Sequence, residues 1–543
     1  MITLPNMEFL LGTLAPLILW MLLFAFLVMC IFYNQANDIK HESTVTGPSW
    51  SISFIGPSMG FNFERYYAEW LSGPLSCFQK CLNIIQGVKA GQVCWWVLRS
   101  VIIPLSRNIA LKALNSPVYI TPIVVDVAPD HLGYAISVFI DSNAHIEFRK
   151  GLTDLFTRKS LGVYLPGQEA VYREYFPRFI KITKENGGKP VPFISEFRQM
   201  MCAVSLRTFV GHYLSDAAVK NIADHSYLTP AALDLVRFPV IVPYTKAWYT
   251  KKAADMVLSE FCNCAAKSKV RMAAGGEVAC IMDAWTQSMV RSRRWCEAEE
   301  ANDLTEDMEK PQPIVRMFND FEIAQVVFVF LFSLQEATSS AVAWLFEIVT
   351  QRPDVLEKVR EENLKVRDGV VHAELSMEQL ESLTYTRAVV RELFRYRRPV
   401  LVVPYQRRNL FPIPDSDAIP KGTALLPYIV GSISTTTYTA LYNPKVYEKP
   451  EHFDPERYYS ADAEEKVAKN HLLFGGPHSC VSQLYTPLNL ALCLGKASVQ
   501  MDWQYHTNPK PEKIQGLVST FPMVYSFDIP QKHCIPADNV GSD

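Results

Sequence analysis

The stretch Leu472-Leu473-Phe474-Gly475-Gly476-Pro477-His478-Ser479-Cys480 decides how the rest of the chain is read. It reads as a tight glycine–proline turn that presents one cysteine. Gly475 and Gly476 admit positive φ without a Cβ clash, and Pro477 stiffens the turn. Residues 481–496 are mostly apolar, and the spacing predicts a helix that starts at Cys480 and carries Leu484, Leu488, Ala491, Leu492 and Gly495 on one face. Orphan N–H groups and the positive end of a helix dipole would then sit beside the sulfur. That setting lowers a thiol pKa and favours the thiolate.

A thiolate held rigidly against a flat apolar surface suits a haem iron that is to activate oxygen. The competing reading is a buried small hydrophobe, the usual fate of a cysteine, and the chain has 12 of them. Stretches upstream bear on the choice. Glu392-Leu393-Phe394-Arg395 puts an acid and a base one turn apart on one helical face; alone it reads as a surface ion pair worth little. Phe453-Asp454-Pro455-Glu456-Arg457 follows it. Residues 318–350 form the longest helical pattern and are apolar almost all round, which predicts a buried helix. Into it falls Gln335-Glu336-Ala337-Thr338-Ser339-Ser340. An unmet polar group in such a helix costs about 1–3 kcal/mol, so the cluster is a site candidate. The competing reading is hydroxyls that bond back to carbonyls four residues earlier and bend the helix.

Taken together and in this order, the four stretches resemble the signatures of cytochromes P450: a haem-binding loop around Cys480, the Glu-x-x-Arg helix at Glu392 and Arg395, the Pro-Glu-Arg segment ending at Arg457, and the oxygen-binding stretch of the central helix. The closer resemblance is to the sterol C-22 desaturases, carried by Trp70-Leu71-Ser72-Gly73-Pro74-Leu75-Ser76-Cys77, Tyr164-Leu165-Pro166-Gly167-Gln168, Gln335-Glu336-Ala337-Thr338 and Arg395-Tyr396-Arg397-Arg398-Pro399-Val400. Departures from the pattern are visible. Ser482 stands where the family has glycine. If Phe474 is the pattern's aromatic, the loop is one residue short; if Cys480 sets the register, Leu473 takes that place. Residues 78–99 match nothing in the pattern and read as an insertion.

Composition is compatible with this resemblance. The chain has 543 residues, 49% hydrophobic, enough for one large core in an α-rich enzyme. Its 53 Lys and Arg balance 55 Asp and Glu, so no global field points to nucleic acid. Scattered cysteines without framework spacing point to a reduced, cytosolic setting. Residues 9–33 form an almost unbroken apolar run of about 25, beyond the ~20 needed to cross a bilayer. A cleaved signal peptide is the alternative, but the run is long, lacks a basic leader and ends without a small-residue cleavage site. Glu8 before it and Lys40 after it place the bulk of the protein in the cytosol. The organisation expected is an anchor over 1–33, a hinge over 34–60 and a catalytic domain over 61–543. The fold expected is mainly α with small β-sheets, the P450 fold behind an N-terminal transmembrane helix.

The resemblance implies haem b ligated by Cys480, with Phe474, Gly476 and His478 in the binding loop and Arg149 over a propionate. Arg149 also belongs to a basic stretch, Arg149, Lys150, Arg158 and Lys159, that reads equally as a solvated face or a docking face for an acidic reductase. Glu392, Arg395 and Arg457 would lock the haem-side fold without taking part in chemistry. Glu336 and Thr338 would deliver protons to oxygen. Electrons would come from NADPH through an NADPH–cytochrome P450 reductase at the endoplasmic reticulum membrane, with a single span and the catalytic domain in the cytosol. The substrate would be a sterol with a saturated C22–C23 bond, and O2 the oxidant, in a late step of ergosterol or related sterol synthesis. Another sterol or lipid monooxygenase, or a non-catalytic haem- or sterol-binding relative with an altered loop, are the alternatives.

Overall fold

The computed structural model describes residues 142–225, 246–305, 308–397, 447–459, 474, 480–506 and 524–530, with short pieces at 21–22, 24–25, 92–96, 99–103, 120–122, 405–407, 424–425, 513–515 and 518–520. The chain divides into two compact units, one of residues 1–123, 404–428 and 433–436, the other of the remainder. Most of the expected anchor, the hinge and the segment 398–404 lie outside the described residues; Met21, Leu22 and Phe24 are helical and exposed.

The first unit holds a five-stranded sheet. Its strands are β1 (Gln92–Trp96), β2 (Arg99–Ile103), β3 (Ile120–Pro122), β5 (Tyr405–Arg407) and β6 (Ala424–Leu425), in the order β1-β2-β6-β5-β3; β4 (Val191–Pro192) belongs to the second unit. Val101, Ile102 and Ile103 are the β-branched residues that favour a pleated surface, and β2 pairs in parallel with β6 through Val101 opposite Ala424. Within the stretch that matches nothing in the family pattern, Gln92 to Trp96 pair antiparallel with the adjacent β2 as an edge strand of this sheet, and residues 78–91 lie outside the described residues.

The second unit is helical. In chain order its helices are α1 (Ser142–Thr153), α2 (Arg158–Glu185), α3 (Ile194–Val210), α4 (Asp216–His225), α5 (Lys246–Ala273), α6 (Ile281–Glu300), α7 (Asp320–Thr350), α8 (Pro353–Val366), α9 (Met377–Ser382), α10 (Thr384–Tyr396) and α11 (Tyr485–Gln500). Helix α6 runs through the acidic residues Glu297, Glu299 and Glu300 to its end at Glu300. Helix α7 begins with a reciprocal cap: Glu322 N donates to Asn319 Oδ1 and Asn319 N to Glu322 Oε2, both at 2.8 Å. Its length and apolarity suffice to cross a bilayer, yet most of it is buried against protein, as a core helix is. It packs on α3, α5 and α11.

A small sheet closes the second unit at one side, in the order β4-β10-β7, where β7 is Asp502–Tyr505 and β10 is Val524–Asp528; β8 (Lys513–Gln515) and β9 (Val518–Thr520) form a hairpin. Aromatic rings join that sheet to the helices. Phe193 meets Phe527 edge-on at 4.7 Å between centroids, and Phe346 of α7 meets Trp503 of β7 at 4.7 Å. Such pairs add about 0.5–1.5 kcal/mol beyond area burial, and they fix the register of the terminal strands against α7.

Candidate active site

Cys480 precedes a short 3₁₀ turn, Val481–Gln483, and helix α11 starts only at Tyr485. The expectation that the sulfur sits at an α-helix N-terminus is therefore corrected. The side chain of Leu484 is exposed as well, while Leu488, Ala491, Leu492 and Gly495 are buried as expected. Tyr485, with its hydroxyl 3.4 Å from that of Thr208, is the side chain that anchors the start of the helix.

Both ends of the loop before Cys480 are fixed. Cys480 N donates to Phe474 O at 2.7 Å. The Phe474 ring stands edge-on to Phe394 of α10, with centroids 5.8 Å apart. Gly476 and His478 lie outside the described residues. One turn before Arg395 on the same helix is the anchor of the surrounding fold. Arg395 grips Glu392 with a two-pronged contact, Nε to Oε2 and Nη2 to Oε1, each 2.7 Å. Arg395 also donates to Pro450 O at 2.6 Å and His452 O at 3.0 Å, and Asp454 N donates to Glu392 Oε1 at 2.9 Å. Arg457 Nε lies 3.5 Å from the same carboxylate. The three residues are brought together, with Glu392 and Arg395 buried and Arg457 partly so, and the surface-pair reading of Glu392 and Arg395 does not hold. Burial pushes the Glu392 carboxyl above its usual range, and Arg395, the Asp454 amide and Arg457 oppose it without cancelling it.

On α7, Thr338 Oγ1 donates to Leu334 O at 2.8 Å and Ser339 Oγ to Gln335 O at 2.6 Å. These are the back-bonds weighed as the alternative to function; they satisfy the donors and leave the Thr338 oxygen able to accept. Gln335 Nε2 is buried without a hydrogen-bond partner. The Glu336 backbone is helical, and its side chain lies outside the described residues. Arg149 on α1 is half-buried while Lys150, Arg158 and Lys159 are exposed. Burial pulls the Arg149 guanidinium below its ordinary value, and the charge of Cys480 acts in the other direction. Arg149 is thus electrostatically coupled to the cysteine, unlike its solvated neighbours.

Sequence reasoning missed the polar layer behind α11. Lys496 forms a buried ion pair with Glu169 of α2, and Leu375 N donates to the same carboxylate at 3.3 Å. Asn489 Nδ2 donates to Gln168 Oε1 at 2.8 Å and Tyr172 donates to Asn489 Oδ1 at 3.1 Å. The signal was present as Asn489 and Lys496 inside an otherwise apolar helix. Sequence cannot supply their partners, which lie more than three hundred residues away.

The thiol inventory tests whether a haem thiolate fits. Among the described cysteines, Cys202, Cys264, Cys280 and Cys493 are buried, Cys262 and Cys296 are half-buried, and Cys480 is exposed. Burial pushes Cys264 and Cys493 up to about 12, and Cys280 well above its usual range. Those thiols stay protonated and inert. Cys480 is the exposed one of the described cysteines, and the Ser482 hydroxyl lies 3.0 Å from its sulfur. The residues fit an iron–thiolate bond.

The cytochrome P450 family model matches residues 148–521. The C-22 sterol desaturase ERG5A of Gibberella zeae is 54% identical over 523 residues, 96% of this chain and 93% of that protein. The C-22 sterol desaturase erg5 of Aspergillus fumigatus is 46% identical over 523 residues, 96% of each. Among solved structures, the retinoic acid-bound cyanobacterial CYP120A1 superposes with a TM-score of 0.67 at 18% identity, covering 90% of this chain and 99% of that one, which speaks to the fold.

Proposed function

The chain belongs to the cytochrome P450 family, and from that premise we propose that it is a sterol C-22 desaturase of ergosterol or related sterol biosynthesis. The family implies haem, oxygen and electrons from a redox partner. The observation that carries the finer reading is the likeness to C-22 sterol desaturases along nearly the whole chain, at 54% and 46% identity. The reaction balances as a sterol with a saturated C22–C23 bond, O2, two electrons and two protons giving the C22–C23 alkene and two waters. When bound, haem b supplies the oxygen activation and one-electron chemistry that such a desaturation needs.

This chain's residues have the remaining tasks. Cys480 would supply the thiolate that holds the iron, and the charge on its sulfur would be the protein's lever on the haem's electronics. Arg149 offers a half-buried guanidinium for a propionate. Phe474 secures the loop on Phe394, and Gly476 and His478 complete it. Glu336 and Thr338 on the buried helix α7 handle protons in a water-poor cavity. Residues 61–543 make up the catalytic domain, 34–60 the hinge and 1–33 the anchor that holds the enzyme, single-pass, on the cytosolic face of the endoplasmic reticulum. NADPH–cytochrome P450 reductase is the electron donor.

The test is a reduced carbon-monoxide difference spectrum of the membrane-extracted protein, followed by product analysis with reductase, NADPH and a sterol saturated at C22–C23. A thiolate-type band that Cys480→Ala abolishes, with a C22–C23 alkene as product, is the expected result. An alcohol as the only product overturns the desaturase assignment, and a band that survives Cys480→Ala overturns the ligand.

A further inference from the structure

We propose that Ser482 is a positioning residue for the thiolate: its hydroxyl donates a hydrogen bond to the Cys480 sulfur and tunes the electron density that the sulfur offers. The inference rests on the haem-thiolate reading above. Cys480 Sγ and Ser482 Oγ lie 3.0 Å apart, within hydrogen-bonding reach for a sulfur acceptor. A thiolate has no proton to give, so the hydroxyl must be the donor. The backbone dictates the approach. Cys480 is extended at φ −61°, ψ 131°, and Ser482 turns at φ −88°, ψ 15° inside the 3₁₀ segment, which brings the side chain of the second residue back over the first.

Other hydroxyls in this protein behave differently. Thr338, Ser339, Ser205, Thr208 and Thr286 all donate to a carbonyl four residues earlier. The carbonyl four residues before Ser482 lies outside the described residues, and among those described the Ser482 hydroxyl meets the Cys480 sulfur. The family pattern has glycine at this position, which offers no side-chain donor. The serine is therefore a feature of this chain added at the one atom whose charge sets the ligand field. Hydrogen bonds to a ligating sulfur withdraw charge from it and favour the reduced metal. Ser482 thus eases acceptance of the first electron and weakens the push that the sulfur gives.

The experiment uses the full-length, membrane-extracted, haem-loaded protein and its Ser482→Ala, Ser482→Gly and Ser482→Thr variants. The readouts are the reduced carbon-monoxide band, the midpoint of a redox titration and the iron–sulfur stretching frequency. The Ala and Gly variants should keep the thiolate-type band but hold about tenfold less reduced iron at a fixed potential, which is about 59 mV for one electron. Their iron–sulfur stretch should rise, and the Thr variant should match the wild type within about twofold in the reduced fraction. A midpoint and stretch in Ser482→Ala equal to the wild type, with the thiolate-type band intact, overturns the role of Ser482 alone. Absence of that band from the wild type overturns the ligand assignment and this inference with it.

Discussion

Arg395→Met should be among the most damaging single changes in the second unit, and the structure says by how much. The side chain donates two prongs to Glu392 at 2.7 Å and further bonds to the carbonyls of Pro450 and His452 at 2.6 and 3.0 Å. Arg395 and Glu392 side chains are 1% and 0% exposed. Breaking a pair this deep typically costs about 3–5 kcal/mol, because the partner is left as a buried charge. Glu392 is not wholly abandoned, since the Asp454 amide and Arg457 remain. That argues for the low end, but the two stranded carbonyls add about 1 kcal/mol each or more where water cannot reach them. The sum is about 5 kcal/mol, comparable to the whole stability of many proteins.

Arg457→Met is the control. Its ion contact is 3.5 Å and it has one 2.9 Å bond to Lys449 O, on a side chain 12% exposed. It should cost about 1–2 kcal/mol. Burial raises Glu392 more than its donors lower it, so the charge itself gains little, and Glu392→Gln combined with Arg395→Met should cost less than Arg395→Met alone. Urea midpoints followed by tryptophan fluorescence, with haem content measured on the same samples, decide the matter. A loss below about 1 kcal/mol for Arg395→Met, or equal losses for the two arginines, refutes the reasoning that burial and multiplicity make this contact dominant.

Gly495→Ala should destabilise by about 1–3 kcal/mol, because a Cβ there would run into the Asn363 side-chain amide, its Oδ1 and, at 2.8 Å, its Cγ; a urea midpoint unchanged from wild type would rule out this close approach of α8 and α11. Lys496→Met should cost about 3–5 kcal/mol by stranding Glu169, and Lys496→Met with Glu169→Gln should recover part of it, as a double-mutant cycle reads. Burial raises the Glu322 carboxyl, but the Arg316 fork and the Asn319 amide outweigh it, so the folded value lies below the usual one. A depressed carboxylate contributes stability above its unfolded value and loses it as pH falls through the folded one. The stability gap between wild type and Glu322→Gln should therefore close on acidification below about pH 4.5. Glu336→Gln should slow sterol turnover while haem content stays at the wild-type level, and unchanged turnover would remove Glu336 from proton delivery.

What the sequence disclosed depended on the range over which each feature is encoded. The pairing of Glu392 with Arg395 and the buried run of α7 are local in the chain, and periodicity alone displayed them. The part played by Arg457 came from the family resemblance, because it lies beyond any local period. The polar layer at Glu169, Asn489 and Lys496 was invisible as a layer, because its members come from helices at opposite ends of the catalytic unit. Strand β1 was missed although its partner β2 is adjacent in the chain, because residues 92–96 fall in a stretch that matched no family motif. The helix start at Cys480 was misplaced by five residues because apolar spacing does not distinguish a 3₁₀ turn from the first turn of an α-helix.

Of the departures of this chain from the family pattern, Ser482 falls beside the sulfur. The described frame is held at several points: Phe474 stands edge-on against Phe394, its carbonyl takes the Cys480 amide, Arg395 ties α10 to Pro450 and His452, and Glu392 ties it to Asp454. A loop with both ends held in this way does not need the pattern's residue at 482 for its stability. Ser482 is half-buried, and glycine there would remove only one small hydroxymethyl group. Ser482→Gly should therefore leave the urea midpoint within about 0.5 kcal/mol of wild type while it moves the iron's potential. Arg457→Met should do the reverse, lowering stability and sparing the potential of whatever protein remains folded. Two variants that swap these signatures separate tuning of the ligand from support of the fold; if both variants shift both quantities together, loop and frame are one mechanical unit and Ser482 acts through structure.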